Sequence, residues 1–232
     1  VAMAAQAKGQ DIVTIILGIP LLLVSLYLSR KGLLKGRLLL TGTLGYFLYT
    51  YMSYSFYSMY NSLFLIDVIL MSVCFYAFTL SMMSFDLQNL SSHFNEKLPV
   101  KFIGGFLIFT AAAIGMMWLG MIIPPLTSGT LPSALEHYTT LVIQAMDLGF
   151  VVPTAIISGI LLIKRKVFGY LLASVVIIKE STMLTAITVM IIEQAYAGVQ
   201  MGLAALVMFP LFNLLTIYCL VLVLKNVKEL QR

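Results

Sequence analysis

Charged side chains are missing from most of this chain. Asp, Glu, Lys and Arg make up only 10% of its 232 residues, where soluble domains carry about 25%, so the sequence cannot clothe itself in a charged, water-facing surface. A soluble globular domain is thereby excluded. Cysteine is nearly absent: Cys74 and Cys219 both fall inside apolar stretches, so no disulfide framework is available and free thiols are expected. Histidine occurs twice, at His93 and His137, in loops at opposite ends of an apolar segment, and no His, Cys and acid cluster has metal-ligand spacing. No glycine-rich phosphate loop and no serine nucleophile motif occurs. An ATP-driven pump acting alone, a zinc enzyme and a haem protein are therefore not expected, and no cofactor is.

What the chain has instead is apolar length. Hydrophobic residues make up 61% and the mean hydropathy is +1.02. Seven apolar runs, each bounded by charge, Pro, Gly or Asn, lie at about 12–29, 38–60, 62–84, 102–123, 138–163, 167–192 and 199–224. Backbone groups in lipid must be paired within their own segment, and these runs lack the alternation of barrel strands. The fold class expected is an all-α integral membrane protein with seven transmembrane helices in a single domain over residues 1–232. Twelve of the fourteen Lys and Arg residues then fall on one side: Arg30, Lys31, Lys35 and Arg37; Lys97 and Lys101; Lys164, Arg165 and Lys166; Lys225, Lys228 and Arg232. Lys8 is alone on the other side and Lys179 lies within the sixth run. The positive-inside rule predicts an outside N-terminus and a cytoplasmic C-terminus, in a plasma (inner) membrane. The net charge of +5 reads as topology rather than as a nucleic-acid surface, because the basic residues sit in short clusters between apolar runs. The opening segment VAMAAQAKGQ lacks the pattern of a secretory signal and is expected to precede the first span.

Two longer connections carry local signals. In FDLQNLSSHFNEKLPVK, Leu87, Leu90 and Phe94 recur at helical intervals, which predicts either a short amphipathic helix on the inner membrane surface or a solvated linker. In PPLTSGTLPSALEHYTT, Ser133 followed by Glu136 matches a capping box for the fifth helix. No internal repeat of the inverted kind is visible. Gly104, Gly105, Gly115 and Gly120 on the fourth run are expected to serve close helix packing.

A charge inside such runs is costly and marks function or an ion pair. Asp67, Asp147, Lys179 and Glu180 are the four. At 1.5 Å per residue, all four can share one layer of the membrane. Three acids and one base there predict either a protonated acid or a bound cation. On the fifth run Thr140, Gln144, Asp147, Thr154 and Ser158 form a polar stripe at helical spacing, with Pro153 positioned to bend the helix. Asp67 shares a face with Met71, Cys74, Phe78 and Ser81. Tyr57 and Tyr60 belong to the interfacial belt, whereas Tyr46 and Tyr49 lie deeper and need hydrogen-bond partners. Asn213, following Pro210 on the seventh run, is a further pocket candidate. The expected ligand- or ion-binding set is thus Asp147, Lys179, Glu180, Asp67, Tyr49, Tyr46, Gln144 and Asn213, with no catalytic and no metal site.

These residues predict a polytopic protein that binds a small solute or ion in an outward-facing polar pocket, most readily a transporter or permease component. The topology also resembles that of the seven-helix rhodopsins, in its outside N-terminus and intramembrane lysine, although Lys179 is on the sixth span. That resemblance implies a receptor-like protein in which Lys179 anchors a carbonyl ligand with an acid as counter-ion. An intramembrane lipid-modifying enzyme using paired carboxylates ranks last. The expected partners are the lipid bilayer and a small-molecule or ion ligand, with a homo-oligomer or a membrane partner subunit left open, and no nucleic acid.

Overall fold

The computed structural model of the chain describes residues 2–132, 135, 138–200 and 202–229. Seven long helices account for nearly all of them: α1 Ala2–Arg30, α2 Leu34–Phe56, α3 Phe64–Met83, α4 Val100–Ser128, α5 Val142–Ile163, α6 Val167–Tyr196 and α7 Leu203–Asn226. Among the described residues there is no strand beyond one isolated bridge, Phe94 with Val227. Six of the helices are long and apolar enough to cross a membrane. The exception, α2, has the length but carries Tyr46, Tyr49, Tyr51 and Tyr54 together with several Ser, Thr and Gly residues. The Ser133–Glu136 capping pair and His137 lie outside the described residues.

The polar content of α2 has a packing reason. It lies against α1, α3 and α6, while α6 touches α1, α2, α5 and α7. These two helices form the centre, where polar side chains meet other helices rather than acyl chains. Half of the apolar window of α6 is buried, against 6% of that of α3 at the edge. Small residues allow the close crossings. A Cβ on Gly42 would collide with Ile178, and one on Gly9 would lie 2.7 Å from the Met190 backbone. Gly104 and Gly159 face each other's carbonyls where α4 crosses α5, but Gly105 and Gly120 face open space and Gly115 has only ordinary contact with Val152. Close packing on α4 is therefore the work of Gly104. Both cysteines are free and buried.

The end of the bundle carrying the basic loops is closed. Residues 84–99 form neither a surface helix nor a solvated linker. Phe85, Leu90, Phe94 and Leu98 are all buried in the same apolar cluster as Leu38, Ile103, Leu171 and Ile178, and the only helical piece is the short turn Leu90–His93. Helical spacing misled because these side chains answer to the hollow between helix ends rather than to a membrane surface. Phe94 packs on Tyr170 at 4.9 Å. Backbone bonds Asn95 N to Asn226 O (2.8 Å) and Lys228 N to His93 O (2.7 Å) then tie the plug to the end of α7.

The bundle also contains a repeat. The hairpins α1–α2 and α5–α6 run in the same direction and match at a constant spacing of 133 residues, as from Pro20 to Pro153. The correspondence holds element by element. α1 is interrupted by a π-helical turn at Thr14–Gly18 and α5 by one at Asp147–Val151, and α-helix resumes at Ile19 and Val152. Both first helices end in the same bonds: Lys31 N to Tyr27 O, Gly32 N to Ser29 O and Leu33 N to Leu28 O, against Lys164 N to Ile160 O, Arg165 N to Leu162 O and Lys166 N to Leu161 O. Gly32 and Arg165 are both left-handed, with φ of 78° and 52°. A Cβ on Gly36 would collide with the backbone at Leu28, and one on Gly169 with the backbone at Leu161. Ser25 and Ser158 are both fully buried. The repeat is parallel, so a search for inverted halves passes over it.

Candidate functional site

Pro153 explains why Asp147 sits where it does. Proline has no N–H and its ring crowds the carbonyl a turn before it. The helix accommodates it by widening into the π turn, in which Val152 N–H bonds the Asp147 carbonyl five residues back. The extra residue rotates everything beyond it by about 100°. For this reason the expected stripe on α5 is broken: Gln144 and Ser158 are buried, but Thr154 is exposed. The turn leaves the Asp147 carboxylate facing two donors from two other helices. Tyr49 Oη donates to Oδ1 at 2.7 Å, and Trp118 Nε1 donates to Oδ2 at 2.9 Å.

Lys179 and Glu180, neighbours on α6, bend towards each other, with Nζ 2.8 Å from Oε1. The same Nζ stands 4.3 Å above the centre of the Tyr49 ring, a cation–π contact that strengthens away from water. One continuous set results: Trp118, Asp147, Tyr49, Lys179 and Glu180, drawn from α4, α5, α2 and α6. Gly45, one turn before Tyr49, stands beside the Lys179 stem, with which a Cβ would make only ordinary contact at 3.7 Å.

The set lines a cavity of 390 Å³. Gln6 and Gln10 of α1, Tyr54 of α2 and Phe209 of α7 complete its walls, and Lys8 pairs with Glu193 at 2.7 Å on α1 and α6 towards the same end of the bundle. A second cavity, of 490 Å³, lies among α4, α5, α6 and α7. Glu180 is on the wall of both cavities and is the only ionisable residue on the second among the described residues.

Of the eight residues singled out from sequence, Asp147, Lys179, Glu180 and Tyr49 come together on the first cavity. The other four stand elsewhere. Tyr46 is fully buried, accepting from Gln10 Nε2 at 2.7 Å and bonding Thr14 Oγ1 at 3.0 Å; its hydroxyl is consumed in joining α2 to α1. Asn213 accepts from Thr185 at 3.2 Å and ties α7 to α6. Gln144 is buried, but on neither cavity wall. Asp67 lies in the first turn of α3, half-exposed, because α3 packs mainly on α2 at the bundle's edge and does not reach the cavities.

Trp118 and Gln10 were not foreseen. Trp118 falls about ten residues short of the end of α4, and that depth, level with Asp147, was the available signal. Gln10 precedes the first apolar run. Helix α1, however, begins at Ala2, and its polar first turns lie along α6, with Gln10 hydrogen-bonded to Tyr46 and Thr50 of α2. No known protein family, curated protein or solved structure matches this chain.

Proposed function

We propose that the chain is a seven-span membrane protein, with its N-terminus outside and its C-terminus in the cytoplasm. It binds a small solute or ion in an outward-facing cavity and acts as a transporter or permease component. The observation that carries this reading is that a single cavity touches Asp147, Lys179, Glu180 and Tyr49 at once. Orientation follows from the basic residues at the closed end, which puts the open cavity outside and the plug of residues 84–99 inside.

Two features favour transport. Parallel repeats, and helices interrupted at mid-membrane beside a polar site, are recurrent parts of secondary transporters. A purely structural ion pair is disfavoured by the first hairpin: at the positions of Asp147 and Lys179 it carries Thr14 and Tyr46, bonded directly at 3.0 Å. The fold is thus built once without charge, and charge in the second copy answers to something else. In this reading Asp147, Lys179 and Glu180 meet the ligand and Tyr49 orients Asp147. Tyr46, Gln144 and Asn213 hold the frame, and Asp67 faces outer water.

Uptake into proteoliposomes across a panel of labelled amines, amino acids and monovalent cations tests the proposal. Flux above empty liposomes that collapses in Asp147→Asn is expected; a panel with no flux, in protein that still binds one of its members, turns the reading to a receptor-like role. A C-terminal tag reached only after the membrane is permeabilised is expected from the orientation.

A further inference from the structure

Glu180 is the charged residue on the wall shared by two rooms of different chemistry. The first is lined by Asp147, Lys179, Tyr49, Tyr54 and Trp118; the second is walled largely by apolar side chains, among them Phe106, Met208 and Phe212. Resting on the reading of the first room as a binding cavity, we propose that its ligand is an amphiphilic organic cation, with an ammonium head beside Asp147 and Glu180 and an apolar body in the second room.

Charge selects the sign. Two carboxylates face one ammonium, and that ammonium is already paired with Glu180 at 2.8 Å. An anion would meet uncompensated negative charge in a low-dielectric site, whereas a monovalent cation brings the set to neutrality. Coordination selects an organic cation over a bare metal ion. Both Asp147 oxygens and one Glu180 oxygen already accept hydrogen bonds, and hard cations want about six oxygens or more. An alkylammonium needs fewer oxygens and gains from aromatic faces. Lys179 illustrates the chemistry: its own ammonium, on an apolar stem, already sits between a carboxylate and the Tyr49 ring. Size fits as well, since each room, at 390 and 490 Å³, lies within the range of about 300–1,000 Å³ that holds small ligands.

The single tryptophan of the chain, Trp118, bonds Asp147 on the cavity wall, so intrinsic fluorescence of the purified protein in maltoside micelles reports on the site directly. Titration with tetramethylammonium, hexyltrimethylammonium, hexanol and hexyl sulfate is the experiment. Hexyltrimethylammonium should give a saturable change and bind at least about tenfold more tightly than tetramethylammonium, the gain coming from its buried methylenes. Hexanol and hexyl sulfate should bind at least about tenfold more weakly than hexyltrimethylammonium. Glu180→Gln should weaken hexyltrimethylammonium by about tenfold or more. Ala113→Phe, which fills the second room, should remove the chain-length gain and leave tetramethylammonium unchanged; Thr110→Phe serves if that variant does not fold. Saturable binding of hexanol or hexyl sulfate as tight as that of the cation, or a chain-length gain that survives the filled room, overturns the ligand class and leaves the cavity reading standing. No saturable signal and no thermal shift from any of the four also overturns the ligand class, and the cavity reading falls with it only if the uptake panel is silent as well.

Discussion

The two hairpins α1–α2 and α5–α6 are built on one plan and put to different uses. Each has a π-helical turn before a proline, a left-handed residue at the corner and a glycine pressed on the partner helix. At the position where one carries Thr14 the other carries Asp147, and Tyr46 corresponds to Lys179. The first hairpin closes on itself through neutral bonds among Gln10, Thr14, Tyr46 and Thr50. In the second hairpin, Asp147 takes its donors from α2 and α4, and Lys179 pairs with its own neighbour. Docking differs in the same sense. α1 lies along α6 with Gly9 on the Met190 backbone; the matching position in α5 is Val142, whose branched side chain forbids so close an approach, and α5 touches α2 only sparsely. The cavity opens between them. The plan tolerates either chemistry, and this is why the proposed reading assigns the charged version to ligand binding rather than to folding.

The strongest attack on that comparison makes the second hairpin as neutral as the first. In the triple variant Asp147→Thr, Lys179→Tyr and Glu180→Gln, which leaves no carboxylate without its 2.8 Å partner, binding or flux should fall by roughly 100-fold or more, since paired charges in desolvated sites are worth several kcal/mol to a ligand. Unfolding in detergent should shift by no more than about 2 kcal/mol. A triple variant that fails to fold would show that the charges hold the bundle together after all.

Lys179→Met is milder. It leaves two carboxylates without a cation, at a cost of about 3 kcal/mol in an equilibrium unfolding measurement, and Glu180→Gln in the same chain should recover most of that loss. Simple addition of the two losses would mean that the 2.8 Å pair contributes nothing. Gly36→Ala and Gly169→Ala sharpen the comparison from the other side. Each pushes a methyl into backbone and should cost about 1–3 kcal/mol, with the two melting shifts nearly equal. Unequal shifts would mean that the repeat is one of outline only.

Reading the sequence recovers the helices because apolar length is a local property that lipid enforces one segment at a time. Its errors fall where the answer depends on another segment. Ala2–Gln10 looks too polar for a span, yet is helical because Gly9 and Gln10 meet α6 and α2. Leu90 and Phe94 show a helical period, yet plug a hollow that only the assembled helix ends create. Asp147, Lys179, Glu180 and Tyr49 were legible because charge and phenol at depth demand partners. Trp118 was not, since an indole on an apolar run looks the same facing lipid or facing Asp147. Pro20 and Pro153, each six residues after a polar residue, announced the repeat, but a parallel repeat at low identity shows itself only through matched turns and backbone contacts.

The smallest effect concerns the one hairpin corner that is capped from outside. The Glu229 carboxylate accepts the Leu34 and Lys35 N–H groups at 2.8 and 2.9 Å, at the start of α2, where an anion satisfies unpaired donors and complements the helix dipole. Among the described residues no side chain does the same for α6 at Val167, although Lys166 has the same extended backbone as Leu33. Glu229→Gln keeps part of the bonding and loses the charge, so stability should fall by only about 0.5–1 kcal/mol. The loss should shrink as salt rises, because a partly exposed charge is screened. Its structural signature is local: amide exchange should quicken in the first turn of α2 and along residues 226–229, which Glu229 anchors, while the first turn of α6 keeps its rate. Quickening at both corners would mean that the tail braces the whole closed end rather than a single helix.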